Sequence, residues 1–306
     1  MAGPLNEKES VAPDPVLVDL CREPYRIARP GKQTAPFIFA SPHSGKLYPA
    51  QFVAGSWLTP VALRRSEDAF VDELFESAVE RGALMIAARF PRAFLDVNRA
   101  ASELDDTMFD AALRVEVDAQ SARVAAGLGV IPRIVRDGAE IYRQRLSPAE
   151  AEMRLNRLYR PYHAALAALV EETVARFGAA VVVDCHSMPS AASIPDIVLG
   201  DRHGASASAA LMHHVEAVLA ACGFSTARNT PYAGGFTTQV YGRRQPGVHA
   251  LQIEVNRTLY LDEDRIERLT RFEETRQRLG KALGKLLAVD TDILLQNPPR
   301  PSLAAE

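Results

Sequence analysis

The 306-residue sequence has little cysteine, one tryptophan and no long apolar segment. Its three cysteines, Cys21, Cys185 and Cys222, are too few and too scattered for a disulfide framework or a cysteine-rich zinc site. No uninterrupted apolar run approaches the roughly 18 residues that a membrane-spanning helix needs. The N-terminus lacks the charged-then-apolar order of a signal peptide. We therefore expect a soluble, cytoplasmic protein.

Neither sign of charge is in excess. Lys and Arg number 35 and Asp and Glu 38, so the formal net charge is −3. A pI of about 6.2 excludes the basic surface that nucleic acid requires. With 47% hydrophobic and 24% charged residues, the chain can bury a large core and does not resemble a disordered protein. We expect neither a nucleic-acid nor a membrane partner, and the oligomeric state has no signature in the sequence.

Apolar runs alternate with helical patterns along the whole chain. Buried strands are predicted over residues 36–40, 83–88, 179–183 and 248–255, with 93–97 as a further extension. Helices are predicted over 61–81, 147–177, 206–221 and 264–287, the second of them kinked or broken at Pro161. This order favours one α/β domain over residues 36–290, preceded by a loosely packed arm (1–35) and followed by a tail (291–306).

Two histidines lie at the ends of predicted strands, where active sites of such sheets gather. His43 lies in a Ser-Pro-His-Ser-Gly turn, and His186 follows a run of four apolar residues and Asp184. Asp184 points to the same side of the strand as His186 and could orient its imidazole. A catalytic zinc site would need a third ligand, for which Glu67 and Asp68 are candidates. A lone histidine is more often structural, and the spacing alone does not decide.

Other polar residues lie within or at the end of predicted apolar strands, where burying a charged group is unfavourable. Glu254 interrupts a strand, which indicates either catalysis or a buried ion pair with an arginine. Asp96 and Asn98 share one face of a strand end, and Arg99 beside them would be free to bind a substrate carboxylate through two hydrogen bonds. The Gly234-Gly235 pair before Thr237 lacks the spacing of a phosphate-binding loop.

Two competing nucleophiles do not fit the pattern. Ser187 lies beside His186, but adjacent residues of a strand face opposite ways, and no Gly-x-Ser-x-Gly turn surrounds the serine. Cys185 lies inside a predicted buried strand, where thiols are usually inert.

Five motifs that follow one another along the chain together indicate a resemblance to a known family. They are Ser41-Pro-His-Ser-Gly45, Glu67-Asp68 through Leu74, Arg92 through Arg99, Asp184-Cys-His186-Ser-Met188 and Gln252-Ile-Glu254. The sequence resembles the N-formylglutamate amidohydrolase family from about Phe37 to Asp262. That family is similar in fold and site to aspartoacylase and the zinc carboxypeptidases. The resemblance implies a three-layer α/β/α fold with a mixed, largely parallel sheet and one catalytic zinc ion.

The resemblance also implies roles for individual residues. His43, Asp68 and His186 match the metal ligands, and Glu254 matches the general base that activates the attacking water. Arg92 would stabilise the oxyanion, Asp184 and Asp96 would support the ligands, and an acidic N-acyl amino acid would be bound by Arg92, Asn98, Arg99 and Thr237. The zinc carboxypeptidases have a Glu three residues after the first His, where this chain has Lys46. We therefore prefer Asp68 to Glu67 as the third ligand.

The implied reaction is zinc-dependent hydrolysis of N-formyl-L-glutamate to formate and L-glutamate, as a step of histidine breakdown. One alternative is a zinc deacylase or amidase for another N-acyl amino acid or small acidic amide. Another is a non-catalytic binding protein on the same fold, although such a protein has no need of a general base. The native metal and the roles of Tyr142, Arg143 and His163 stay open at this stage.

Overall fold

The structure, a computed structural model, describes residues 14–118, 120–135, 138–191, 193–243 and 245–295. Within these ranges no helix has the length and apolar character needed to cross a membrane.

A seven-stranded sheet with the order β1-β3-β2-β4-β7-β5-β6 forms the centre of the fold. Its strands are β1 (Tyr25–Ala28), β2 (Phe37–Ser41), β3 (Leu84–Ala88), β4 (Ala180–Met188), β5 (Ile197–Gly200), β6 (Thr226–Arg228) and β7 (Val248–Asn256). The central pairs β3–β2, β2–β4 and β4–β7 are parallel, whereas β1 and β5 run antiparallel to β3 and β7. The predicted mixed, largely parallel sheet is thus confirmed. A separate small ribbon pairs β8 (Leu261–Asp262) with β9 (Glu267–Arg268).

Helices cover both faces of the sheet. They are α1 (Pro15–Arg22), α2 (Ala50–Ala54), α3 (Pro60–Arg64), α4 (Val71–Phe75), α5 (Ser77–Glu80), α6 (Ala122–Ala125), α7 (Pro148–Arg154), α8 (Arg160–Phe177), α9 (Ala209–Ala221), α10 (Phe236–Tyr241), α11 (Phe272–Leu286) and α12 (Thr291–Leu295). Strand β2 shows why two helical layers are needed: Phe37 and Phe39 pack into one apolar core, and Ile38 and Ala40 into the other. The central strands are therefore buried on both faces, as parallel strands usually are.

Strands β2, β3, β4 and β7 coincide with the predicted apolar runs. The prediction of one helix over 61–81 is wrong, because residues 65–70 leave the helical path between α3 and α4. Residues 93–97 form turns rather than a strand, and the last long helix begins at Phe272 instead of 264. Strands β1, β5 and β6 were not predicted, since they are short and β1 and β6 are only half-buried.

The long helix predicted around Pro161 continues without a break. A π-helical turn, Leu155–Tyr159, joins α7 to α8, and Pro161 lies in the first turn of α8. Proline lacks an N–H and its ring clashes with the carbonyl four residues earlier. The wider π turn, in which hydrogen bonds join residues five apart, accommodates this clash.

The chain termini differ in part from the predicted arm and tail. Residues 14–35 contain α1 and the edge strand β1, which pairs with β3, so this stretch is packed on the sheet rather than loosely attached. Residues 1–13 and 296–306 lie outside the described residues, and α12 precedes the latter. The boundaries of the single catalytic domain at 36 and 290 stay a prediction.

Candidate metal centre

Three side chains from three separate segments converge on one point. The candidate ligand atoms of His43, Asp68 and His186 lie within 4.8 Å of one another, and all three residues are buried. Asp68 Oδ2 lies 3.2 Å from His43 Nδ1 and 2.9 Å from His186 Nδ1. Two imidazole nitrogens and one carboxylate oxygen are a donor set that suits a divalent metal such as zinc. The residues present therefore fit a metal ion.

The interruption between α3 and α4 puts Asp68 at this point. Phe70 adopts a left-handed conformation with φ 64°, and the Asp68 N–H donates to the His43 carbonyl over 3.0 Å. The neighbouring Glu67 contacts other groups: its carboxylate accepts from Tyr48 Oη at 2.6 Å and from Arg64. Of the two candidate carboxylates, Asp68 is the one beside both histidines.

Gly45 allows the His43 turn to pack closely against the chain that follows β3. A Cβ atom at this position would lie 2.1 Å from the carbonyl oxygen of Phe90, far inside van der Waals contact. The turn of the Ser-Pro-His-Ser-Gly motif therefore requires glycine for a reason of space.

Each histidine is held at its other nitrogen by a carboxylate. His43 Nε2 lies 2.7 Å from Asp96 Oδ1, and His186 Nε2 lies 3.0 Å from Asp184 Oδ2. Such outer contacts set the orientation of the ring and leave Nδ1 as the nitrogen that can face a metal. Burial raises the pKa of Asp68, but hydrogen bonds from His186 and His43 hold that pKa well below its usual range.

Asn98, which the sequence predicts as part of a substrate clamp, has its amide engaged inside the protein. Its Nδ2 donates to Asp184 Oδ2 at 3.0 Å, and its Oδ1 accepts from the Thr237 N–H at 2.8 Å. Gly235 provides the room, because a Cβ there would lie 2.5 Å from Asn98 Nδ2. The side chain of Thr237 is buried, and Gly234 and Gly235 line the cavity beside it. Asn98 and Thr237 thus connect α10 to the metal-ligand support.

Glu254 faces the candidate ligands from the adjacent strand. The parallel register of β4 and β7 pairs Glu254 with His186, and Glu254 Oε1 accepts from Gln252 Nε2 at 2.8 Å. Among the described residues, no lysine or arginine forms an ion pair with this carboxylate, contrary to the buried ion-pair interpretation. Burial raises the pKa of Glu254 to about 7, although the nearby His186 opposes the shift.

A cavity of about 490 Å³ opens onto these groups, and five arginines line it. They are Arg65, Arg92, Arg99, Arg123 and Arg257. Arg92 donates from Nε to Asp96 Oδ2 at 3.0 Å, and its terminal nitrogens have no partner in the described parts of the chain. Arg65 is exposed at the rim. The cavity therefore combines buried carboxylates at its base with cations above them, as an acidic substrate requires.

Arg99 is less free than the sequence predicts. Its Nε donates to the Leu128 carbonyl at 2.9 Å and its Nη1 to the Asn98 carbonyl at 2.8 Å, while Nη2 lies 3.7 Å from Asp96. The side chain still lines the cavity, but only its remaining N–H groups can contact a ligand.

Arg257 is a site residue that the sequence interpretation missed. It donates to Asp68 Oδ1 at 3.0 Å, to the Glu67 carbonyl at 2.7 Å and to Ser187 Oγ at 3.0 Å. A signal was available, since Asp96-Val-Asn-Arg99 and Glu254-Val-Asn-Arg257 repeat one pattern. In both copies the acid and the arginine line the cavity. Because Arg257 binds Oδ1 of Asp68, the other carboxylate oxygen, Oδ2, is the one that contacts the histidines.

Tyr232 was also missed. It lines the cavity in the Pro231–Gly235 segment, and burial raises the pKa of its phenol, as does the nearby Glu254 carboxylate. Tyr142, Arg143 and His163 lie outside the lining of the cavity. Tyr142 contacts the buried Arg154, Arg143 stacks over Trp57, and His163 contacts the Val97 carbonyl.

Two curated proteins are similar to this chain over most of its length. N-formylglutamate deformylase of Pseudomonas aeruginosa is 32% identical over 265 residues, covering 83% of this chain and 93% of that protein. The enzyme of the same name from Pseudomonas putida is 27% identical over 82% of this chain and 91% of its own.

Solved structures show the same fold. The crystal structure of N-formylglutamate amidohydrolase from Ralstonia eutropha JMP134 matches with a TM-score of 0.80 and 36% identity, over 85% of this chain and 95% of that one. Gene product Atu2144 from Agrobacterium tumefaciens shares the fold at a TM-score of 0.63 and 18% identity, over 87% and 95% of the two chains. Residues 35–261 match the sequence profile of the family described as N-formylglutamate amidohydrolase. The chain belongs to the N-formylglutamate amidohydrolase family.

Proposed function

We propose that this protein hydrolyses the formyl amide bond of N-formyl-L-glutamate, releasing formate and L-glutamate, with zinc as its cofactor. The observation that carries the proposal is the convergence of His43, Asp68 and His186 beside Glu254, at the base of a cavity lined by arginines. The names of the Pseudomonas relatives supply the substrate. Formate and glutamate are the products expected of a step in histidine breakdown; that pathway and the cytoplasmic location stay predictions.

His43, Asp68 and His186 would hold the metal, which supplies Lewis acidity to the substrate carbonyl and the attacking water. Asp96 and Asp184 keep the two imidazoles oriented, and Arg257 keeps the Asp68 carboxylate turned toward them. The chain's own contribution at this level is a buried ligand set whose three side chains are each held by contacts to other residues.

Glu254 acts as the general base. It is buried, carries no described ion pair and lies opposite His186 across two paired strands. It takes a proton from the attacking water as the new carbon–oxygen bond forms, and it returns that proton to the amide nitrogen as the carbon–nitrogen bond breaks. Arg92, whose terminal nitrogens have no partner among the described residues, lines the same cavity and would stabilise the developing oxyanion.

The arginines give the preference for an acidic substrate. N-formylglutamate carries two carboxylates, and the cavity arginines that keep N–H groups free among their described contacts are Arg65, Arg92, Arg99 and Arg123. We assign substrate binding to these arginines. We assign Asn98 to the support of the site, because its amide binds Asp184 and the Thr237 N–H, and Thr237 contributes to that support through its backbone.

The test is formate release by metal-stripped protein before and after addition of Zn²⁺. Three substrates separate the alternatives: N-formyl-L-glutamate, its neutral isostere N-formyl-L-glutamine, and N-acetyl-L-glutamate. We expect zinc-dependent turnover with a preference of about 10-fold or more for N-formyl-L-glutamate over the glutamine analogue, because each lost hydrogen bond to a charged group costs about 1.5–3 kcal/mol. Faster cleavage of the acetyl substrate would indicate the deacylase alternative, and no cleavage of any substrate would indicate the binding-protein alternative.

A further inference from the structure

The turn formed by residues 94–99, here called the catalytic turn, carries Asp96, Asn98 and Arg99 without any regular secondary structure. Asp96 holds His43, Asn98 contacts Asp184, and Arg99 lines the cavity. A non-repetitive segment has no ladder of backbone hydrogen bonds to keep its side chains in place. Something outside the catalytic turn must therefore fix its carbonyl groups.

One continuous helix supplies the missing donors. Arg154 Nη1 donates to the Phe94 carbonyl at 2.8 Å, and Tyr159 Oη donates to the Arg99 carbonyl at 2.7 Å. His163 Nε2 lies 2.9 Å from the Val97 carbonyl, which can only accept, so the Nε2 atom carries the proton. These bonds fix the beginning, the middle and the end of the catalytic turn.

The π-helical turn explains how these residues reach the same segment. In a regular α-helix of 3.6 residues per turn, a step of five residues points well away from the starting face. In a π-helix the hydrogen bonds join residues five apart, which brings such residues toward one face. Arg154 and Tyr159 are five apart across Leu155–Tyr159, and His163 follows four residues later in α8.

The burial of these side chains indicates that the contacts are specific. Arg154 is fully buried and stacks on the Phe94 ring, with its guanidinium carbon 3.8 Å from the ring centre. A buried guanidinium is costly unless its donors are used. By contrast, the hydroxyl of Tyr162, on the same helix, is buried without a hydrogen-bond partner among the described residues. Arg154 also binds Tyr142 and Glu150, and its Nε has no partner among the described residues, while His163 Nδ1 lies 3.0 Å from Tyr241 Oη. What sets Arg154, Tyr159 and His163 apart from Tyr162 is that each places a donor on a carbonyl of the catalytic turn.

We propose that Tyr159 and His163, supported by Arg154, are positioning residues of the active site. Tyr159 sets the place of Arg99 and through it the binding of the substrate carboxylate, a part that rests on the proposed function. His163 holds the peptide between Asp96 and Asn98, so it sets the carboxylate partners of His43 and His186. A change at Tyr159 should then affect substrate binding, whereas a change at His163 should affect the metal ligands and turnover.

The first variant is Tyr159→Phe, which removes only the donor to the Arg99 carbonyl. We expect KM for N-formyl-L-glutamate to rise by about 5–10-fold with kcat within about 2-fold, as the loss of one hydrogen bond acting through Arg99 predicts. Tyr162→Phe is the matched control, since it removes from the same helix a buried hydroxyl that has no hydrogen-bond partner in the part of the chain that the structure describes. It should leave both constants and the melting temperature close to those of the wild type.

The second pair is His163→Leu and His163→Gln. Leucine removes the donor, whereas the glutamine amide can place an N–H near the original Nε2. We expect His163→Leu to lower kcat and to raise the dissociation constant for Zn²⁺, each by about 10–100-fold, the range seen for outer contacts of metal ligands. KM should change little, and His163→Gln should recover most of both losses.

Three results would overturn the proposal. They are an equal effect of Tyr162→Phe and Tyr159→Phe, losses that follow only the fall in melting temperature, and no recovery in His163→Gln. Zinc affinity, measured by chelator competition without substrate, separates this proposal from the proposed function. If the wild type releases no formate, the proposed function fails, and the zinc affinities of the two His163 variants still decide the role of His163.

Discussion

At the scale of single residues, four buried carboxylates surround the candidate metal site and each has a different partner. Asp68 lies beside both histidines and Arg257, Asp96 beside His43, and Asp184 beside His186. Glu254 alone lacks a cationic partner among the described ion pairs and accepts only from Gln252. Differences in contacts, rather than in residue type, therefore favour Glu254 over the other three acids as the proposed proton carrier.

Glu254→Gln tests this distinction. The amide has the same shape and can still accept from Gln252, so we expect the fold and the zinc content to be kept. It cannot take a proton, so kcat should fall by about 10²–10⁴-fold, the usual contribution of a general base. Kinetics and metal analysis on the same sample would measure both.

Glu216→Gln is the control for this change, because Glu216 forms a half-exposed ion pair with Arg228 away from the cavity. It should leave turnover unaltered. Loss of zinc in Glu254→Gln would instead identify Glu254 as a ligand.

The sequence predicted most of these residues but not their contacts. Polar residues within or directly after an apolar run can be recognised in a sequence. Glu254, His43 and His186 could therefore be found as candidate reactive groups of the predicted strands. The partner of a buried side chain depends on segments far apart in the chain, such as the 94–99 turn and α10 around Asn98. For this reason the sequence did not show that Asn98 binds Asp184 and the Thr237 N–H, and Arg257 was not predicted at all.

At the scale of secondary-structure elements, hydrophobic periodicity located the four central strands but did not show where a predicted helix is interrupted. The apolar spacing over residues 61–81 fits a helix, yet the chain leaves the helix at 65–70 to bring Asp68 to His43. This local departure from the predicted helix is offset by bonds to Asp68 from Ser187 and Arg257. Contacts with distant parts of the chain interrupt this helix, and the helix propensity of the local sequence does not predict them.

Gly45→Ala tests the packing of the His43 turn at this scale. Its Cβ would lie 2.1 Å from the Phe90 backbone oxygen, which cannot swing away as a side chain can. We expect the free energy of unfolding to fall by about 1–3 kcal/mol, typical of an overpacked site, and activity to fall with it. Denaturant unfolding would measure the change.

Gly31→Ala is the matched control, since nothing lies within 4 Å of a Cβ built at that exposed position. Its unfolding free energy should change by less than about 0.5 kcal/mol. Equal stability of the two variants would show that the His43 turn tolerates a side chain.

At the scale of the whole molecule, the candidate ligands tie together parts of the chain that are far apart in sequence. His43 follows β2, Asp68 lies between α3 and α4, and His186 belongs to β4. An ion that binds these residues binds only the folded chain, so it stabilises the fold by mass action.

We therefore expect Zn²⁺ to raise the melting temperature of metal-stripped protein. At a free concentration of about 100 times the dissociation constant the gain is about 2.7 kcal/mol, or roughly 4 °C for a chain of this size. Asp68→Asn, which keeps the shape of the side chain but loses its charge, should reduce this shift strongly. Calorimetry of both proteins with and without Zn²⁺ would show it, and an equal shift in the variant would place the ion elsewhere.

The pairing of His186 with Glu254 across β4 and β7 has a consequence for how this site can change. The distance between His186, a proposed metal ligand, and Glu254, the proposed proton carrier, is a property of the backbone, set by the spacing of about 4.8 Å between neighbouring strands. The arginines to which we assign substrate binding lie instead on turns and on the short helix α6. Exchanges among them can retune which acyl amino acid is accepted while the hydrolytic pair keeps its geometry.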